Sequence, residues 1–208
     1  MIYLKSIQGL RRKQCIVISN ICSYSSPSYA YNHLLKYKVL QAAFDEWESF
    51  PPCDPSKNKS KVRMSYNVDI FLSVSQKLDG DHQSWLDDVN SIIDTFKNRR
   101  NSNVWTLCFE NLNVIEIDID PELDIYEPAE SSTNINWVHG PNTQFIKSIA
   151  AISSGEHGDY DTVFLMEGDV KPRKKFWLDS LMDEANDSNF AILGRCVLPS
   201  FDITLSMN

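Results

Sequence analysis

The sequence predicts an α/β domain with a mostly parallel central sheet flanked by helices, and three observations carry that prediction. Residues 68–74 (VDIFLSV) are too apolar for a strand with one face in water, which is how a strand covered on both faces of a parallel sheet reads. A helical stripe follows it, made of Trp85, Leu86, Val89, Ile92, Ile93 and Phe96. A second apolar run, residues 163–166, ends abruptly in Glu167-Gly168-Asp169 and leads into another helical pattern. Strand and helix in alternation are the signature of a doubly wound sheet.

Taken in order, residues 1–28 form a poorly defined N-terminal segment and residues 29–208 a single α/β domain. Residues 15–19 (CIVIS) read as a short strand or as the remnant of a processed start. From residue 29 to 50, Tyr37, Leu40, Phe44 and Trp47 recur at three- and four-residue steps, an amphipathic helix that Pro51-Pro52 stops. Residues 51–63 are polar and proline-rich and predict a loop. After the strand at 68–74 and the helix that follows, residues 103–110 return to strand character, and residues 113–118 (NVIEID) alternate as another strand would. Residues 119–138 carry Pro121, Pro128 and a polar run, and predict a long surface loop. A helix from His139-Gly140-Pro141-Asn142 to Ile152 places Phe145, Ile149 and Ile152 on one side, with Gly155 and Gly158 marking its end. A strand at 162–167, a helix at 173–187 burying Trp177 and Leu181, and a last strand at 190–193 complete the pattern. The helical spacing of Trp85 and Trp177 with other apolar residues marks both as core.

Composition narrows the function. A net charge of −8 and a pI near 5.0 have the wrong sign for a nucleic-acid binder, and the basic runs at 11–13, 57–63 and 171–175 are too short to reverse that field. No apolar run approaches the roughly 20 residues of a membrane helix, and charges interrupt the N-terminus where a signal peptide would need an apolar core. Five cysteines, none at CxxC spacing, argue against a zinc site and against a dense disulfide framework, while one or two bridges remain open. Asn58 and Asn186 begin Asn-x-Ser sequons, which matter only in a secreted chain.

The chemistry concentrates in Glu167 and Asp169. Two residues apart in an extended chain, they point to the same side. Carboxylates at a strand's C-terminal end suit Mg²⁺ or Mn²⁺, which take one or two of them beside phosphate oxygens and water. Gly168 lets the backbone approach a ligand closely. The plainer alternative is an acidic turn with Glu167 solvated. Asn142 and Lys147, on the helix before the motif, offer donors to a nucleotide or serve as a helix-start polar group and a solvated lysine. Ser75 and Gln76 line a base pocket or a plain turn. Lys171, Arg173, Lys174 and Lys175 face an anion or form a solvated rim. His139 and His157 lack a partner at catalytic spacing and receive no role.

The order of Tyr160-Asp161, the apolar run 163–166, Glu167-Gly168-Asp169, Pro172 and Trp177-Leu178-Asp179 resembles the nucleotide-sugar-binding half of GT-A-fold glycosyltransferases. The resemblance covers residues 140–194; residues 67–118 share only the order of strands and helices. It implies a Rossmann-like GT-A domain, a nucleoside-diphosphate sugar donor, and Mn²⁺ or Mg²⁺ bridging the donor's phosphates, with a glycan, protein or lipid acceptor. It makes Asp169 a metal ligand and places Glu167, where the strict D-x-D motif has Asp, on the metal through water or on the donor ribose. It also implies the Golgi or another secretory lumen. The residues after Asp169 include no His, and Asp202 is their only acid outside the helix, so the expected chain is a donor-binding portion, incomplete at the C-terminus and lacking an acceptor site and base. Two rivals stand beside this expectation. One is a non-catalytic remnant that binds nucleotide, metal or a protein partner. The other is a phosphatase with a strand-end Asp nucleophile, disfavoured because the first acid is Glu167.

Overall fold

A computed structural model describes residues 2–5, 14–20, 41–54, 56, 68–75, 83–99, 104–120, 122–124, 139–168, 170–187, 192–194, 196–198 and 201–203. In chain order these form β1 (Ile2–Lys5), β2 (Gln14–Asn20), helix α1 (41–49), β3 (Val68–Val74), α2 (Gln83–Arg99), β4 (Leu112–Glu116), α3 (His139–Ser153), β5 (Thr162–Glu167), α4 (Trp177–Asp187) and β6 (Ile192–Gly194). A hairpin of β7 (Cys196–Leu198) and β8 (Phe201–Ile203) stands as its own two-stranded sheet.

The main sheet has six strands in the order β4-β3-β2-β5-β1-β6. The four strands from β4 to β5 are parallel; β1 runs antiparallel to both β5 and β6. The chain is thus α/β with a four-stranded parallel core. From β2 the chain steps to β3 and then β4, and from β4 it crosses back over both to β5 on the other side of β2. Right-handed crossovers put helices on opposite faces when the direction of travel reverses, and α1, α2 and α3 have that distribution, while α4, which leads on from β5 toward β6, lies on the face of α1 and α2. Ile16, Ile70, Leu72, Phe164 and Met166 face α1, α2 and α4 through Phe44, Trp47, Ile92, Phe96, Trp177 and Leu178. Cys15, Val17, Phe71 and Val163, the alternate residues of the same strands, face Ile152 of α3 together with Ile115, Ile117 and Ile119.

Trp47 is the hub of the first face, 1% exposed. Its ring lies 5.3 Å from Phe109, 5.2 Å from Trp177 and 5.1 Å from Phe44, centroid to centroid. Full burial of a large apolar side chain contributes about 1.5–3 kcal/mol, so this cluster ties three segments far apart in sequence into one core. Trp177 is buried, as its spacing predicts; the side chain of Trp85 lies outside the described residues. Beside the cluster, Cys53 is bridged to Cys108 with Cα atoms 5.7 Å apart, inside the ordinary range. Cys15 is buried in β2 and takes no part in that bridge.

Several expectations need correction. The segment 1–28, read as poorly defined, holds β1 and the central strand β2, which includes the short strand read at residues 15–19. Of the predicted strand 103–110, residue 103 lies outside the described residues and residues 104–110 are not a strand. Val104–Cys108 form a 3-10 turn, because the bridge at Cys108 draws the chain off the sheet and β4 begins only at Leu112. The first part of 119–138 is surface only in part: Asp120, Glu122 and Leu123 are exposed, while Ile119 and Asp124 are each 1% exposed. Residues 173–176 are not helical. Phe176 has φ of 60°, outside the right-handed helical region, and α4 starts one residue later. In α3 the buried row is Gln144, Ser148 and Ile152, so two polar residues stand where an apolar stripe was expected. Of the predicted strand 190–193, residues 190 and 191 lie outside the described residues, and β6 spans Ile192–Gly194.

Candidate functional site

Four parallel strands bring their carboxyl ends to one edge of the sheet. Asn20 ends β2, Val74 ends β3, Glu116 ends β4 and Glu167 ends β5. The direction of winding changes between β2 and β5, where Ser19 is the partner of Glu167. In open α/β sheets ligands bind outside the carboxyl ends of the strands, where the strand order reverses; here the chains leaving β2 and β5 both lead to helices of one face, α1 and α4.

Glu167 is exposed at this edge. The strand stops with it, and the Val170 N–H donates to the Glu167 carbonyl at 3.1 Å. The strand on which the same-side argument for Glu167 and Asp169 depends ends at Glu167. Asp169 itself lies outside the described residues, as does Gln76. Among the described residues, no group of three His, Cys, Asp or Glu side chains is placed to hold a metal ion.

The other expected site residues are dispersed. Ser75 is fully buried, its hydroxyl donating to Asp124 Oδ2 at 3.2 Å and its carbonyl accepting the Ile119 N–H at 2.8 Å. It anchors the chain that leaves β4 and shows no surface to a ligand. Asn142 is exposed in the first turn of α3. Lys147 is exposed too, and its ammonium donates to the Asp118 carbonyl at 3.0 Å. Asp118 has φ of 52°, a conformation Asp tolerates better than most residues, and the lysine holds that kink against α3. Lys171, Arg173, Lys174 and Lys175 are all exposed ahead of α4, with Lys171 Nζ 3.9 Å from Glu46 Oε1.

Sequence reasoning missed a buried polar seam beneath this edge. Gln144 Nε2 donates to the Ser73 carbonyl at 2.9 Å, and the Ser73 and Ser148 hydroxyls share a hydrogen bond of 2.6 Å. With the Ser75–Asp124 bond, these fix α3 and the segment after β4 against the end of β3. The only available signal was polar: Gln144 and Ser148 recur four residues apart on the face that also carries Ile152.

A second network lies at the opposite, amino-terminal edge. Asp69, 1% exposed near the start of β3, accepts from Asn111 Nδ2 at 2.9 Å and from the Tyr160 hydroxyl. Burial, then the hydrogen bond to Asp69 and that carboxylate's charge, push the Tyr160 phenol well above its ordinary range. Phe71 meets the Tyr160 ring edge-on at 5.5 Å, and Gly158, at φ of 114°, gives the turn that brings the ring back. This network fastens the α3–β5 connection to β3 and stands away from Glu167.

No protein-family model matches the chain, and no curated protein or solved structure matches it either. Among the described residues, no helix is long and apolar enough to cross a membrane.

Proposed function

We propose that the chain binds a nucleoside-diphosphate sugar at the carboxyl edge between β2 and β5, as a GT-A-type glycosyltransferase or the donor-binding portion of one. The observation that supports this best is the position of Glu167, an exposed carboxylate at the end of β5 where the winding changes direction. Mg²⁺ and Mn²⁺ need only one or two carboxylates when phosphates and water fill the remaining positions. Glu167, with Asp169 two residues on, is a donor set of that kind, Asp169 the closer ligand and Glu167 acting through water or on the ribose. When bound, such an ion would neutralise charge developing on the departing diphosphate. The sugar would pass to a glycan, protein or lipid acceptor. Asn142, exposed at the start of α3, remains available to the nucleotide in this reading; Lys147 and Ser75 serve the scaffold.

Isothermal titration calorimetry with UDP- and GDP-sugars, with and without Mn²⁺, tests the proposal. Metal-dependent binding that is lost in Asp169→Ala and weakened in Glu167→Gln is the expected result. No metal-dependent binding, or binding unchanged in Asp169→Ala, refutes it. The alternative is a protein of the same α/β architecture that binds a partner without turnover. The exposure of Glu167 and the bond from the Val170 N–H to its carbonyl favour it, because an exposed acid at a strand end is also an ordinary solvated feature.

A further inference from the structure

The chain between α1 and β3 is usually the kind of segment that only connects, but here its first residues clasp another element. The Phe176 N–H donates to the Pro51 carbonyl at 2.7 Å and the Leu178 N–H to the Pro52 carbonyl at 2.9 Å. In the other direction, the Asp54 N–H donates to Asp179 Oδ2 at 3.0 Å. The start of α4 therefore gives two backbone donors to residues 51–54 and takes one back on a carboxylate that is itself 6% exposed. Cys53 sits in the middle of this clasp and is bridged to Cys108, at the end of the 3-10 turn before β4. At Phe176 the backbone lies in the left-handed region, which costs about 1–2 kcal/mol for a residue with a side chain. The clasp holds it there.

This geometry constrains the chain that leaves β5. One end of the 167–176 connection is fixed by the sheet and the bond from the Val170 N–H, and the other by the clasp on Phe176 and Leu178. We infer that residues 51–54, locked by the Cys53–Cys108 bridge, form a strap that holds the start of α4 and so sets the path of the chain leaving Glu167, with Asp179 as its positioning residue. Its bearing on a ligand rests on the function proposed above; its conformational content does not. The strap is conditional on oxidation. An attacking dithiol reduces the bridge by two electrons, each cysteine gains a proton, and the reductant leaves as its own disulfide. Cys53 and Cys108 are 2% and 0% exposed, so the strap must part before a thiolate reaches either sulfur.

Native-state hydrogen exchange on the full chain tests this, with the Phe176 and Leu178 amides as reporters and Ile70 and Leu72 of β3 as the reference. Asp179→Ala, and separately Cys53→Ser with Cys108→Ser, should each speed exchange at the two reporters about tenfold, the factor that corresponds to losing one hydrogen bond. In Asp179→Ala, exchange at Ile70 and Leu72 should rise less than at the reporters; in the cysteine pair variant it also rises, with the global stability that the bridge supplies. Trypsin should cut faster after the exposed Arg173, Lys174 and Lys175, and Asp179→Asn, which keeps an acceptor oxygen, should restore protection. Unchanged reporters in both variants overturn the inference, as does an acceleration in Asp179→Ala that β3 matches or that Asp179→Asn does not rescue. If the cysteine pair variant fails to fold, Asp179→Ala with the bridge intact decides. Neither nucleotide nor metal enters these measurements, so their outcome is separate from that of the binding titration.

Discussion

Replacing Tyr160 with Phe isolates one hydrogen bond and one titration. The ring contact with Phe71 survives the change, and only the hydroxyl that donates to Asp69 Oδ2 is lost. Asp69 is almost wholly buried, and its other described partner, Asn111 Nδ2, remains on Oδ1. A hydrogen bond to a charged group contributes about 1.5–3 kcal/mol. Because Tyr160 is half-buried, a loss of about 2 kcal/mol near neutral pH is expected, a shift of about 1 M in the urea midpoint of a small domain. The pH dependence has a definite sign. Folding raises the phenol's pKa above its unfolded value of about 10, so the folded chain keeps a proton that the unfolded chain releases. That contribution is complete below about pH 10 and is lost as the pH rises from there toward the folded pKa. Tyr160→Phe should therefore be less stable than the parent at neutral pH, with the gap narrowing as the pH climbs above about 10. Urea denaturation followed by tryptophan fluorescence at several pH values reads both effects. Equal midpoints at neutral pH, or a gap that widens under alkaline conditions, would refute the assignment of this pair.

Three further outcomes follow from the packing. Replacing Cys53 and Cys108 together by Ser opens a loop whose ends are separated by 55 residues, and the chain-entropy estimate gives a loss of about 4 kcal/mol, measured as a fall in the denaturation midpoint relative to the bridged parent without added reductant. Trp47→Ala removes the hub between Phe44, Phe109 and Trp177 and should cost about 3–5 kcal/mol, or abolish cooperative unfolding in calorimetry. Gln144→Ala takes the side-chain donor from the buried Ser73 carbonyl and should cost about 1–3 kcal/mol, seen as faster amide exchange along α3.

What could be read from the residues, and what could not, divides by the range of the forces involved. The buried strand at 68–74 and the helix after it were legible because an unbroken apolar run and a helical stripe are local signals. The strand at 162–167 was legible for the same reason, with its exact bounds. Residues 104–108 misled because Val, Trp and Thr suit a strand, while a bridge to a cysteine 55 residues away decides their path. β1 gave no signal: four residues become a strand only when β5 and β6 lie on either side. At the site, Glu167 could be placed at a strand end from sequence, with a solvated acidic turn as the plainer alternative, but not the backbone bond that the Val170 N–H gives to its carbonyl. Ser75 looked available to a ligand because nothing local announces that Asp124 will cover it. The strap was invisible as well, since Pro51 and Pro52 read as a helix stop and nothing more.

The strand order also imposes a schedule on biosynthesis. β2 is needed at the centre of the sheet, but the neighbour for one of its edges is β5, and Gln14 must wait for Thr162. At ordinary translation rates that interval lasts on the order of ten seconds. Throughout it, Cys15, Ile16 and Val17, fully enclosed in the finished fold, belong to a strand whose second edge has no partner from its own sheet. An unpaired edge of that kind invites pairing with other chains. The nascent protein should therefore depend on chaperone cover until β5 is made, and a pause in translation before residue 162 should be more damaging to its yield than one after residue 167.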